Sequence, residues 1–318
     1  METVILGGLG GGGDVGLAVI LSHILRNDAR VVFASFAGCS PEKYPGERVA
    51  GSLFIPRKYH PRDFEWALKA LNPTLPVYRI CIKTSEQEVL EGLDWLSREY
   101  CPACTLHCDI GGDGLLTGFE EKLGSYVIDT AARAILVEAS RIHGWRSILA
   151  VGGLQLEGGR QRALSLHDLV ADLLYYEKHN AILSVGEPPV EAAAKAKHLL
   201  GIRRGMVSVM LPLYIAALEK RRTVNIEKGY STGIHSIDWW TRYVFLLDNI
   251  ETCNLSPLCR IARDTWLPGL KKLARLSPPR EYVWMRKKTQ KNPEKMLRGI
   301  IERHIISLDE SFRATCLS

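Results

Sequence analysis

Six of the seven residues at positions 7–13 are glycine, and Asp14 follows them. The stretch GGLGGGGDVGLA joins a short apolar run, 3–6, to an apolar-periodic run, 15–25. Glycine loses more conformational freedom on folding than any other residue. Such a run is unfavourable unless bare backbone is needed at that turn. A strand that turns through glycines into a helix brings backbone amides to a place where they can face an anion.

The following segments repeat the alternation. Strands are predicted at 29–38, 76–83, 105–110 and 147–152, and helices at 62–71, 86–100, 126–144 and 166–179. This order predicts an α/β fold, a Rossmann-like doubly wound, mostly parallel sheet covered on both faces. Further helices are expected at 188–201, at 206–221 with Pro212 near its start, and at 293–306. Another is expected at 255–276, capped by Ser256 with Pro257 in its first position and interrupted at Pro268-Gly269. A strand is expected at 241–248. No repeat and no low-complexity linker divides the 318 residues. The expectation is an α/β domain over 1–250 that carries the ligand loops, with a basic helical C-terminal extension over 251–318 packed on it.

Three glycine-rich segments fall at the C-terminal ends of predicted strands: 7–16, DIGGDGLLTGFEEKLGS at 109–125, and VGGLQLEGG at 151–159. Ligands of open parallel sheets bind outside those strand ends. The expected cradle is Gly10, Gly11, Gly12 and Gly13 with Gly111, Gly112, Gly114, Ser125, Gly152 and Gly153. The first run satisfies G-x-G-x-x-G, but the second strand ends without an acid, as a dinucleotide site would want, and there is no G-K-[ST]. NAD or FAD binding therefore stands as an alternative, beside a purely structural turn. Acids recur in the same loops: Asp14; Asp109 and Asp113, with Glu120 and Glu121; and Glu157. Asp14 is equally a helix-start residue. Asp14, Asp113 and Glu120 are the expected catalytic acids. Because bare carboxylates repel phosphate, Mg²⁺ held by Asp113 and Asp14 is one way to reconcile them. General acid–base chemistry is the other. The expected function is an enzyme binding a nucleotide or phosphorylated metabolite. A non-catalytic sensor using the same pocket is a further alternative.

Two of these motifs carry a family resemblance. GGGGDVGLA after a strand, with Asp109, Gly111, Gly112, Asp113, Gly118, Glu120, Leu123 and Ser125 in order, resembles the family of domain of unknown function 1152, found mainly in archaea and bacteria. That family tends to carry Trp-Glu-Arg after its second strand, where this chain has YPGERVAG, and a more acidic third loop than GGLQLEGG. The resemblance implies a Rossmann-like α/β protein and no established reaction.

Charge is unevenly placed. The whole chain is +6, yet positions 260–303 hold thirteen Lys/Arg against four Asp/Glu. A basic helical surface is the ordinary reading. An RNA partner is the alternative, with Lys271, Lys272, Arg286, Lys287, Lys288 and Lys291 on phosphates and Tyr282 and Trp284 stacking on bases. No run reaches the roughly 18 apolar residues of a membrane span, and no secretion signal is evident, so a cytoplasmic protein without a membrane partner is expected. The eight cysteines are then expected mostly as free thiols, a hyperthermophilic source being the exception. CPACTLHC at 101–108 leaves open a metal site, a Cys101–Cys104 pair or plain buried thiols. Core packing is expected of Trp239 or Trp240.

Overall fold

A computed structural model describes residues 1–58, 63–120, 126–156, 164–201, 208–227, 232–271 and 276–317. In chain order its strands are β1 (Glu2–Gly8), β2 (Ala29–Ala37), β3 (Glu47–Ala50), β4 (Leu53–Ile55), β5 (Val77–Cys81), β6 (Cys104–Ile110), β7 (Arg146–Gly152), β8 (Ile182–Gly186), β9 (Thr223–Ile226), β10 (Gly233–Ser236) and β11 (Val244–Asp248). Its helices are α1 (Gly12–Leu25), α2 (Phe64–Leu71), α3 (Glu86–Tyr100), α4 (Val127–His143), α5 (Leu166–Lys178) and α6 (Ala193–Gly201). They continue as α7 (Met210–Leu218), α8 (Asn249–Leu255), α9 (Pro257–Lys271), α10 (Arg280–Thr289), α11 (Pro293–His304) and α12 (Leu308–Cys316).

Nine strands form one sheet in the order β3-β4-β5-β2-β1-β6-β7-β11-β8. The stretch β5-β2-β1-β6-β7 is parallel throughout. β11 enters antiparallel between β7 and β8, and the short β3–β4 hairpin is antiparallel on the far edge. The mostly parallel α/β sheet follows from strands apolar on both sides. Val4, Leu6, Leu106 and Ile148 point to a core shared with α1, α2, α6, α7 and α12. Ile5, Val32, Leu149 and Val151 point to a second core shared with α3, α4, α5, α9 and α11. Each face of the sheet is therefore closed by helices, as a buried parallel sheet requires.

The C-terminal helices lie along this body. α9 packs on α4, α10 and α11 on α5, and α12 against β8 and α1. The helix expected over 255–276 ends its regular course at Trp266, whose φ of 52° lies in the left-handed region just before Pro268. There the Trp266 indole N–H donates to the Thr84 carbonyl at 2.7 Å. Pro212 sits in the first turn of α7, where its missing N–H leaves no intrahelical bond unmade. Trp240 is buried, and Trp239 is partly buried against the same core. No described helix is long and apolar enough to cross a membrane.

The thiol expectation is corrected. Disulfides join Cys39 to Cys81, Cys104 to Cys316, and Cys253 to Cys259, leaving Cys101 and Cys108 free. The Cys101–Cys104 pairing fails because Cys104 opens β6 and meets the end of α12, 212 residues later. Spacing along the chain cannot reveal a partner brought in by tertiary packing.

Candidate functional site

β1 and β6 are neighbours, and the order of strands reverses between them: β2 and β5 lie to one side of β1, β7 to the other side of β6. Such a reversal opens a crevice at the C-terminal strand ends. Both acidic glycine loops emerge there. Asp14, in the first turn of α1, holds them together. Its Oδ2 accepts the Gly10 and Gly11 N–H groups at 3.1 and 2.7 Å, and its Oδ1 accepts the Ile110 N–H at 3.0 Å. Asp14 thus closes its own loop and pins it to the end of β6. Burial pushes its pKa up to about 7, against the pull of those backbone donors.

Three more buried carboxyls continue from it. Asp113 hydrogen-bonds to both Asp109 and Asp129. Asp109 Oδ2 also accepts the Gly114 N–H at 3.1 Å. Burial, and then the nearby Asp113, hold Asp109 and Asp129 well above the usual carboxylate range. A contact between two carboxyls needs a proton between them. Asp109 and Asp129 supply those protons, so the cluster carries less negative charge than a count of its aspartates implies. Oxygen donors suit Mg²⁺ in kind. Among the described residues, however, no three side chains converge on one point where an ion could sit. The carboxyls face one another and backbone N–H groups instead.

The first glycines serve this packing. A Cβ on Gly10 would lie 3.1 Å from Asp129 Cγ, so only glycine lets the Asp129 carboxyl approach the loop. Gly10 also lies against Ile128, so the N-termini of α1 and α4 meet at this residue. Tyr126, which caps α4, offers no side-chain acceptor to the first N–H groups of that helix. Gly38, after β2, packs on the same Ile128 and on Lys83, after β5, with the Lys83 Cε 3.6 Å from its Cβ position. Lys83 is exposed at the rim, and among the described residues it has no ion-pair partner. Gly12 has a different reason. Its Cβ would fall 2.5 Å from Phe64 Cε2, so bare backbone there admits the α2 ring, and a valine would disrupt packing before it touched a ligand. Gly11 is exposed with room beside it, and Gly13 faces Ser208.

The remaining cradle residues are tied into the fold. Gly111 and Gly112 take φ of 131° and 116°, which turns the chain sharply out of β6. The Gly111 N–H donates to the Gly152 carbonyl, and the Gly153 N–H to the Thr241 carbonyl. Gly152 lies beside Leu17 and Tyr214. Gly114 offers its carbonyl to Arg133 Nη1 at 2.5 Å. Ser125, Glu121 and Glu157 lie outside the described residues.

Glu120 belongs to a second group. Its Oε1 accepts from the Thr117 N–H and hydroxyl, and its Oε2 from the Gly118 N–H. It hydrogen-bonds to Asp172, whose Oδ1 accepts the Tyr282 hydroxyl at 2.7 Å. Burial, and then Glu120, raise Asp172 well above the usual range. Arg133, fully buried one turn after Asp129, lies between the two groups together with Tyr176. Glu120 is therefore not gathered with Asp14 and Asp113.

Asp129, Arg133 and Asp172 were not legible as site residues. The signal was present: 129, 133, 136 and 140 recur at helical spacing, so Asp129 and Arg133 fall on the buried stripe of α4. The basic segment divides differently from its expectation. Tyr282 is fully buried, and Arg286 Nε pairs with Asp168 at 2.6 Å, so neither is placed to meet a nucleic acid. Lys271, Lys287, Lys288 and Lys291 are exposed, Lys288 lies over the exposed Trp284 ring, and Lys272 is outside the described residues. In CPACTLHC, His107 Nε2 faces the Ala34 carbonyl at 3.2 Å, and burial holds its pKa down to about 4. Cys108 points to the other face of β6, into the core shared with α1, so the segment does not converge on a metal.

No protein-family model matches this chain, and no curated protein matches it.

Proposed function

We propose that this is a Rossmann-like protein that binds a nucleotide or phosphorylated metabolite in the crevice between β1 and β6. The observation that carries the reading is the meeting of two helix N-termini, α1 and α4, at Gly10. The amides and positive dipole ends of helix N-termini favour an anion at that point. Lys83 would add a cation from the rim. The proton that Asp129 holds toward Asp113 would keep its carboxyl neutral, so that it does not repel the ligand as a carboxylate would. This removes the need for a divalent ion between acid and phosphate. The likeness of both loops to the domain of unknown function 1152 pattern supports the reading, and we extend it to descent from that family.

Calorimetry with ATP, ADP, NAD⁺ and, as the phosphate-free control, adenosine tests it. At least one phosphate-bearing compound should bind at least about 10-fold more tightly than adenosine, or about 1.4 kcal/mol. Lys83→Gln, an exposed change, should weaken that binding by roughly 10-fold with the melting temperature unchanged. If none of the phosphate compounds binds at millimolar concentration, or Lys83→Gln leaves affinity as it was, the reading fails.

A further inference from the structure

At the other end of the same sheet lies a cavity of about 560 Å³ that the glycine loops do not reach. It opens where α1 ends at Leu25 and β2 begins at Ala29, whereas the crevice lies where α1 begins and β2 ends. Val31, Phe33, Leu68, Leu71 and Leu75 form its apolar wall, from one face of β2 and from α2 with the turn after it. Three cationic or titratable groups line it: Arg26, just past α1, and Lys195 and His198, one turn apart on α6. All three are exposed, and among the described residues none has an ion-pair partner. No acidic side chain lines the cavity among the described residues. Glu191 is not in its wall, and at His23 the charges of Arg26 and Lys195 each outweigh that of Glu191. Ser22 and Asn72 add neutral polar groups to the lining.

A cavity of this size is within the range of about 300–1,000 Å³ that small-molecule sites occupy, and such sites pair apolar walls with few polar groups. Here the charged groups are of one sign, and two of them, Arg26 and Lys195, both act on the neighbouring His23. We infer that this cavity binds an amphipathic anion, an apolar chain or ring system that lies against Val31, Phe33 and Leu68 with one carboxylate or phosphate head at Arg26, Lys195 and His198. Charge complementarity selects this occupant over a neutral apolar molecule or a cationic amphiphile, whose head would meet like charge. The site is separate from the crevice, and its occupancy does not depend on what the crevice binds.

Decanoate, decyl phosphate, decan-1-ol and decyltrimethylammonium, each titrated calorimetrically into the full chain below its micelle-forming concentration, test the inference. One decanoate or decyl phosphate should bind per chain, at least about 10-fold more tightly than decyltrimethylammonium. Whichever of the two anions is preferred identifies the head group, and either preference supports the site. Ala194→Trp, which fills the cavity from the exposed side of α6, and Lys195→Glu, which reverses one charge, should each weaken anion binding by about 10-fold or more. Unchanged melting temperatures in these two exposed variants confirm that folding is intact. Equal affinity for the cationic amphiphile, no binding of either anion, or indifference to both variants would overturn the inference. So would sedimentation showing a dimer that Ala194→Trp dissociates, because a second copy would then cover the opening.

Discussion

Gly7→Ala is expected to destabilise the protein by at least about 3 kcal/mol, enough to unfold a marginally stable domain. Gly7 lies next to the end of β1 and pairs in register with β6. Its missing Cβ is where the backbone of β2 passes: a methyl there would fall 2.6 Å from the Ala34 carbonyl carbon and nearer still to its oxygen. A side chain could rotate away, but a ladder carbonyl cannot move without breaking the pairing of the two central strands. Gly144 is the control. It caps α4 at φ 73° with nothing within 4 Å of its Cβ position, so alanine there meets conformational strain alone, about 1 kcal/mol. Urea denaturation of the two variants should separate them clearly. Equal losses would mean that the approach of β2 is not what requires glycine at position 7.

The second large effect is on pH. Asp109 and Asp129 are protonated in the folded protein well above the usual carboxylate range, and Asp14 up to about pH 7, whereas in the unfolded chain all three ionise near their ordinary value of 3.8. The native state then holds more protons than the unfolded state, and stability falls as pH rises through that window. His107 acts in the opposite direction. Its pKa is pushed down to about 4 from 6.5, so its burial favours folding increasingly as pH climbs between those values. Above pH 6.5 the raised acids set the slope, with Glu65, raised to about 8, and Asp172 adding to it in the same direction. Between pH 6.5 and 8.5 the unfolding free energy should drop by about 1.4 kcal/mol per pH unit for each acid that stays protonated. Asp129→Asn keeps a donor toward Asp113 without taking up a proton. It should flatten the slope and leave the variant more stable than the parent at pH 8.5. Stability that rises steadily from pH 6.5 to 8.5 would show that the cluster is ionised in the folded protein.

The sequence was most informative where periodicity and glycine acted together. β1, α1, β6 and α4 were legible because apolar spacing and turn residues agree in those segments, and with them the sheet edge at which the loops emerge. The grouping of acids was not legible. Asp113 and Glu120 are seven positions apart, yet the left-handed glycines at 111, 112 and 118 send them into different clusters. Asp129, on a later helix, enters the first cluster through the crossover of α4. The β3–β4 hairpin and β8 offered only short apolar runs, which periodicity cannot separate from loops or buried turns. The disulfides depend wholly on tertiary contact, and the basic helix α10 hid two of its polar residues, Tyr282 and Arg286, against α5.

The position of β11 sets an order of assembly. β8 has two backbone partners, β11 on the sheet and a bridge from Val185 to Ile305, and both lie later in the chain. A growing chain that has completed α5 and β8 therefore carries an apolar strand with nothing to pair with. At a synthesis rate of about 5–20 residues per second, the roughly 60 residues from β8 to the end of β11 take on the order of several seconds to appear. During that interval five parallel strands can already be in place while the sixth waits beside them. β8 therefore joins the sheet only through a strand made after it, because β11 supplies the ladder to β7 and the ladder to β8 alike.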